Sequence, residues 1–233
     1  YGRGAFDMKG GLAAMMGAMK ALADAGSPHS AVLLLAAVAD EEYASLGTEE
    51  ILRHYRPDGA IVTEPTALDI CLAHKGFAWF EVTTRGKAAH GSRFDLGVDA
   101  NMRMGRVLAA LDVLEQGVRA RRPHPLLGPP SLHAATIAGG SGLSTYARPG
   151  ITDEMRSLLR GLVERDPSFE ADLEVLLVRE PFEVAPDAGI VRAVTEAATG
   201  VLGRRPSLVG QTPWMDAALL AGAGAETVVF GAT

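Results

Sequence analysis

The sequence predicts an α/β protein whose mostly parallel-sheet core is interrupted by an inserted α+β domain. Three observations carry the prediction. Both ends of the chain alternate segments of helical spacing with short continuous apolar runs, the rhythm of a parallel sheet covered by helices. The middle of the chain follows a different order, and glycine and proline clusters punctuate the changes. At 233 residues, 48% hydrophobic and 21% charged, the chain is ordinary for a globular protein and long enough for one large domain or two modest ones.

Leu12, Met15, Met16, Met19, Leu22 and Ala23 stand at helical spacing, closed by Gly26 and Pro28. The methionines of this stretch suit core filling. Residues 31–38 form a continuous apolar run of strand length, as expected for a strand covered on both faces. Thr48 suits a helix cap with Glu49 and Glu50 in the first turn, and Pro57 limits that helix. Residues 60–63 follow as a short strand. The rhythm resumes late in the chain. Ile190, Val191, Val194, Ala197, Ala198 and Val201 mark a helix, 207–210 a strand, 214–221 a helix and 227–230 a strand.

Between these parts, "FAWFEVTTRG" (77–86) reads as a strand, and Met104, Val107, Leu108, Leu111 and Leu114 as a helix. "SLHAATIAGG" (131–140) reads as a strand, a helix runs from Thr152 through Leu162, and "DLEVLLVR" (172–179) is a last strand. The order β-α-β-gap-α-β is one strand short of a ferredoxin-like β-α-β-β-α-β unit. The expected domains are therefore a core from 1–74 and 184–233 and an insert at 75–183.

A net charge of -6 argues against a nucleic-acid partner, and no basic stripe with interleaved aromatics occurs. The longest apolar stretch, 31–39, is far short of the roughly 20 residues a bilayer-spanning helix needs, so no membrane partner is expected. Cys71 is the single cysteine. It precludes an internal disulfide and fits a reducing, cytoplasmic compartment.

Three carboxylate positions fall where an open α/β sheet places its ligands, just beyond strand ends or at a loop-to-helix junction. Asp7 precedes the first helix, Glu41 and Glu42 follow the 31–38 run, and Glu64 follows the 60–63 strand with Pro65 fixing the turn. Asp40, Glu41 and Glu42 are adjacent acids at the end of an apolar segment, where they repel one another and resist desolvation. Neighbours on an extended chain point opposite ways, so Glu41 and Glu42 divide their labour more naturally than they share one ion. A pair of divalent cations would relieve the repulsion, polarise a carbonyl and activate water. The same acids equally suit helix capping or solvent, and Asp7 taken alone suits a charge at a helix start.

Taken in order, "GRGAFDMKGG", "ADEEYASLG", "TEPT", "RGKAAHGS", "GGSGLSTY" and "GQTPWMDAALLAGAGAETVVFG" resemble the zinc-dependent deacylase and metallopeptidase family. That family includes acetylornithine deacetylase, succinyl-diaminopimelate desuccinylase, aminoacylase and glutamate carboxypeptidase. The resemblance implies a metallopeptidase core with a lid and dimerisation insert, and removal of an N-acyl group from an amino acid. It implies two zinc ions, with cobalt or manganese as alternatives. Asp7 then corresponds to the carboxylate bridging both ions, Glu42 to a ligand of one and Glu64 to a ligand of the other. Glu41 corresponds to the general base, and His90 to a lid histidine reaching a partner's active site in a homodimer. Asn101 corresponds to a lid residue holding substrate, and a turn or helix-start role suits it as well. His29, His54, His74, His124 and His133 match no ligand position.

The resemblance also has departures. The family's first ligand is a histidine two residues before an aspartate, and no His-x-Asp occurs here. Its last ligand is a histidine past the final "VVFG". Its lid arginine strand has no counterpart around Arg148. A zinc site needs three protein ligands plus water, so the chain reads as an incomplete, inactive fragment. A dipeptidase or carboxypeptidase of the same chemistry and a non-catalytic binding or dimerisation module are the alternatives.

Overall fold

A computed structural model of the chain describes residues 2–26, 31–87, 95–137, 145–147 and 151–232. In chain order its first elements are α1 (Gly10–Ala25), α2 (Leu46–His54), β1 (Gly59–Val62), β2 (Ile70–His74), β3 (Phe77–Thr84) and α3 (Ala100–Arg119). They are followed by β4 (Thr145–Ala147), α4 (Ile151–Arg165), β5 (Ala171–Arg179) and β6 (Phe182–Glu183). The last are α5 (Gly189–Leu202), β7 (Leu208–Gln211), α6 (Ala217–Gly222) and β8 (Glu226–Val229). The backbone divides into two compact units, Tyr1–Lys75 with Pro181–Thr233 and Gly76–Glu180.

The first unit is built on β2, every residue of which is buried. β2 runs parallel to β7 and antiparallel to β6, and it meets β8 at the single Cys71–Val229 pair. β8 in turn runs parallel to β1. The longer ladders are thus parallel and the short ones antiparallel, giving a mixed sheet. Successive side chains of a strand face opposite ways, and β2 uses both faces. Ile70 and Leu72 pack with Val191 and Val194 of α5 and with Val228. Cys71 packs with Phe182, Met215, Ala217 and Val229 on the other side. Helix cover on both faces explains why β2 is apolar without alternation. α1 ends where Gly26 turns left-handed at φ 55, the usual way a glycine stops a helix.

The second unit is a three-stranded antiparallel sheet in the order β4-β3-β5. Ala78 and Phe80, alternate residues of β3, pack with Val118, Leu132 and Met155, and Val82 joins them. Val107, Leu159, Leu162 and Phe169 continue this core. Arg103 stitches α3 to its surroundings. Its guanidinium donates to the Arg85 carbonyl at 2.9 Å and to the Ser168 carbonyl.

Several expectations are corrected. The 31–38 run forms no strand; it is mostly exposed, with Val32 96% accessible, and no strand among the described residues pairs with it. Thr48 is no cap but the third residue of α2, which starts after Ser45. Residues 131–137 form no strand either. Only Leu132 of them is buried, so they offer no alternating face to the helices; residues 138–140 lie outside the described residues. Among the described residues between α3 and α4, the strand is Thr145–Ala147, inside the stretch expected to be a gap.

Candidate functional site

All the groups that converge belong to the first unit. Glu41 and Glu42 sit in a tight loop leading into α2. Asp40 takes a left-handed backbone at φ 72, a conformation that aspartate tolerates better than most residues. Its carbonyl then accepts the Tyr43, Ala44 and Ser45 N–H groups at 3.3, 3.1 and 2.6 Å. The loop closes around that one oxygen, leaving Glu41 half-buried and Glu42 exposed.

Glu64 is placed by β1 and by two close approaches of backbone. A Cβ on Gly11 would stand 2.5 Å from the Thr63 carbonyl oxygen, and one on Gly231 would stand 2.4 Å from the Glu64 oxygen. Only glycine fits either place. Gly231 also donates to Thr66 Oγ1 at 3.0 Å and accepts from the Leu68 N–H at 2.9 Å, holding the turn after Glu64. Gly231→Ala is therefore expected to destabilise the fold by about 1–3 kcal/mol, as overpacking does, and to displace Glu64. Urea unfolding checks the first effect, and divalent-cation affinity checks the second.

Asp7 lies in the turn ahead of α1, where Lys9 donates its N–H to the Gly4 carbonyl at 2.7 Å and its Nζ to the Arg3 carbonyl at 2.9 Å. The Asp7 side chain lies within hydrogen-bonding reach of the Glu64 carboxyl. Burial pushes Glu64 up to about 8, helped by that contact and by the charges of Asp7, Glu41 and Asp216. Burial likewise pushes Glu41 up to about 7, with the charges of Asp216, Glu42 and Asp7 adding to it.

Glu41 thus lies within electrostatic reach of Asp7, Glu42 and Asp216, and Glu64 within reach of Asp7, Glu41 and Asp216. Nothing among the causes of either shift is a cation. Carboxylates gathered this way are tolerated when protonated or when a cation offsets them. A hard, all-oxygen donor set suits a divalent ion. Among the described residues no three His, Cys, Asp or Glu side chains stand at metal-ligand spacing, so the chain brings the acids together without closing a coordination shell. The donor chemistry fits the cation; the shell geometry is not formed in this structure.

Of the candidate residues, Asp7, Glu41 and Glu64 come together with Glu42 beside them. His90 and Arg148 lie outside the described residues. Asn101 is exposed in the first turn of α3, where its N–H donates to Asp99 Oδ1 at 2.9 Å. Asp99, which the sequence reading did not single out, is the cap of α3. Asp216 also joins the acids; its sequence signal, an acid just before an apolar helix in "WMDAAL", is shared by ordinary caps. His74 is buried between Phe182 and Trp214, with ring centroids 5.3 and 6.0 Å away. Burial depresses it to about 4, a structural histidine and no ligand. His54 pairs with Glu50 on the exposed side of α2 at 2.9 Å.

The family model "Peptidase family M20/M25/M40" matches residues 1–233. The chain is 30% identical to acetylornithine deacetylase of Myxococcus xanthus, over 99% of this chain and 63% of that protein. It is 31% identical to acetylornithine deacetylase of Vibrio vulnificus, over 84% of this chain and 57% of that protein. The crystal structure of a tripeptidase from Staphylococcus aureus superposes with TM-score 0.70 at 18% identity, covering 98% of this chain and 62% of that one. That likeness shows a shared mixed α/β fold. The chain spans about six-tenths of the length of these relatives.

Proposed function

Because the chain belongs to peptidase family M20/M25/M40, we propose that it carries the catalytic carboxylates of a cation-dependent amidohydrolase that removes an N-acyl group from an amino acid. The carrying observation is the cluster of Asp7, Glu41, Glu42, Glu64 and Asp216, whose repulsion is relieved by positive charge. The choice of an acyl amino acid is supported by about 30% identity to proteins named acetylornithine deacetylase.

In this reading Asp7, Glu42 and Glu64 would hold divalent ions, zinc by family resemblance. When bound, such ions polarise the amide carbonyl and lower the pKa of water. Glu41 takes the proton from the attacking water as the oxygen–carbon bond forms. It then delivers that proton to the nitrogen as the carbon–nitrogen bond breaks, freeing a carboxylic acid and an amine. We assign to the Gly76–Glu180 unit the roles of lid and homodimer surface, with Asn101 and His90 serving substrate from it. A cytoplasmic setting rests on the lone, buried Cys71. No helix among the described residues is long and apolar enough to cross a membrane.

The test is a panel of N-acyl amino acids, dipeptides and tripeptides assayed with the full-length protein and added zinc, cobalt or manganese. Cation-dependent turnover fastest on N-acyl amino acids supports the proposal. Fastest turnover of peptides makes the protein a peptidase of the same chemistry, and no turnover of any of them favours a non-catalytic module.

A further inference from the structure

We propose that the hydrogen bond from Thr48 to Asp216 is a positioning latch that fixes the Glu41–Glu42 loop against the rigid core, a role that rests on the cation-dependent reading above. Both residues are of helix-start type, yet neither caps its own helix. Thr48 lies inside α2, and Asp216, the residue before α6, makes no side-chain cap bond. Instead the Thr48 hydroxyl donates to Asp216 Oδ2 across 168 residues of chain. The pair is 5% and 6% accessible, so water competes poorly for either group.

Thr48 is the only buried residue recorded for α2. The apolar side chains of α2 are at most half-buried, with Leu46 60% exposed and Ile51 and Leu52 partly so, and Ser45 just before the helix is fully buried. Asp216, by contrast, stands between Met215 and Ala217, both packed against Cys71, Phe182 and Val229. The bond therefore joins a partly buried helix to a firmly packed one. From Thr48 the chain reaches the catalytic loop through one helical turn and the closed turn around the Asp40 carbonyl. Leu46 and Gly47 secure that link by donating to Asp40 Oδ2 at 3.4 Å and to the Ala39 carbonyl at 3.2 Å. A shift of Thr48 is passed to Glu41 and Glu42 with little slack. The electrostatic reach of Asp216 to both Glu41 and Glu64 agrees with this closeness.

The experiment compares wild type with Thr48→Val and Thr48→Ser in the full-length protein. It reads Co²⁺ affinity from the visible absorption of the bound ion, then kcat, KM and Tm. Thr48→Val is expected to lose about 10-fold or more in both Co²⁺ affinity and kcat, the scale on which outer partners of metal ligands act, with KM little changed. Thr48→Ser, which keeps the hydroxyl, is expected to recover most of both. Should Thr48→Val fail to fold, Thr48→Ala carries the same comparison without adding bulk. Wild-type affinity and kcat in the hydroxyl-free variant would overturn the latch. So would a Thr48→Ser protein as impaired as that variant, or losses that follow Tm alone. If wild type binds Co²⁺ but hydrolyses no substrate, the functional reading fails while the affinity comparison still decides the latch. Absence of Co²⁺ binding by wild type would overturn both.

Discussion

Glu41→Gln is expected to lower kcat by about 10²–10⁴-fold, the usual worth of a positioned acid–base group, while cation content and fold stay as they are. The amide matches the carboxylate in shape but cannot carry a proton from water to the leaving nitrogen. Glu41 is half-buried beside Glu42 and within reach of Asp7 and Asp216. Removing its charge therefore relieves repulsion, and the variant is expected to be no less stable than wild type without cation. Steady-state kinetics and elemental analysis on the same preparation check the pair of outcomes. Turnover near the original rate would rule out Glu41 as the base. Loss of cation together with turnover would make it a ligand instead.

The second large effect concerns stability. In cation-free protein, stability is expected to fall as pH rises from about 4.5 towards 8. The folded state holds protons on Glu41 and Glu64 up to about 7 and 8, against 4.5 for an ordinary glutamate. Their contribution is complete below pH 4.5 and is lost as pH climbs through the folded values. His74 acts in the opposite direction. It is depressed to about 4 from 6.5, so its contribution is complete above pH 6.5 and is lost on acidification. At full protonation that loss is on the order of 3 kcal/mol. Between pH 6.5 and 8 the two carboxylates therefore act without opposition from His74, and between 4.5 and 6.5 the two effects compete. Urea unfolding across this range measures the slope, and His74→Gln is expected to steepen the fall between pH 4.5 and 6.5, where His74 no longer offsets the carboxylates, and to leave the slope above 6.5 unchanged. Adding divalent cation at pH 8 to one hundred times its Kd is expected to restore about 2.7 kcal/mol. A cation-free protein equally stable at pH 6.5 and 8 would contradict the picture of forced-together carboxylates.

The site was more legible in the sequence than the sheet around it. Asp7, Glu41 and Glu64 each follow or precede a segment whose end is marked by composition, and short motifs around turns survive without knowledge of pairing. Residues 31–38 show the limit. An apolar run of strand length states what the chain would bury, whereas a strand needs a neighbour to complete its hydrogen bonds, and none of the described residues supplies one. β2 shows the converse. Its four apolar residues, Ile70–Ala73, are too few to separate from a loop by periodicity, and its place at the centre comes from β7, β8 and β6, far along the chain. Thr48 was legible only as a cap, and Asp216 as a cap, a packing residue or a group at the substrate end, because local rules see a hydroxyl or acid near a helix start and not a partner 168 residues away.

The central claim is that these clustered carboxylates await divalent cations, and proton release on binding tests it most directly. Cation-free protein would be titrated with Zn²⁺ at pH 6.5 by calorimetry, in buffers of differing ionisation enthalpy. A ligand carboxylate such as Glu64 must shed its proton to bind, and the cations' charge would also drive the proton from Glu41 beside them; without cation the two hold their protons up to about 8 and 7. The account predicts tight binding with release of about one to two protons per chain. Binding with no proton released, or no binding at all, would contradict it.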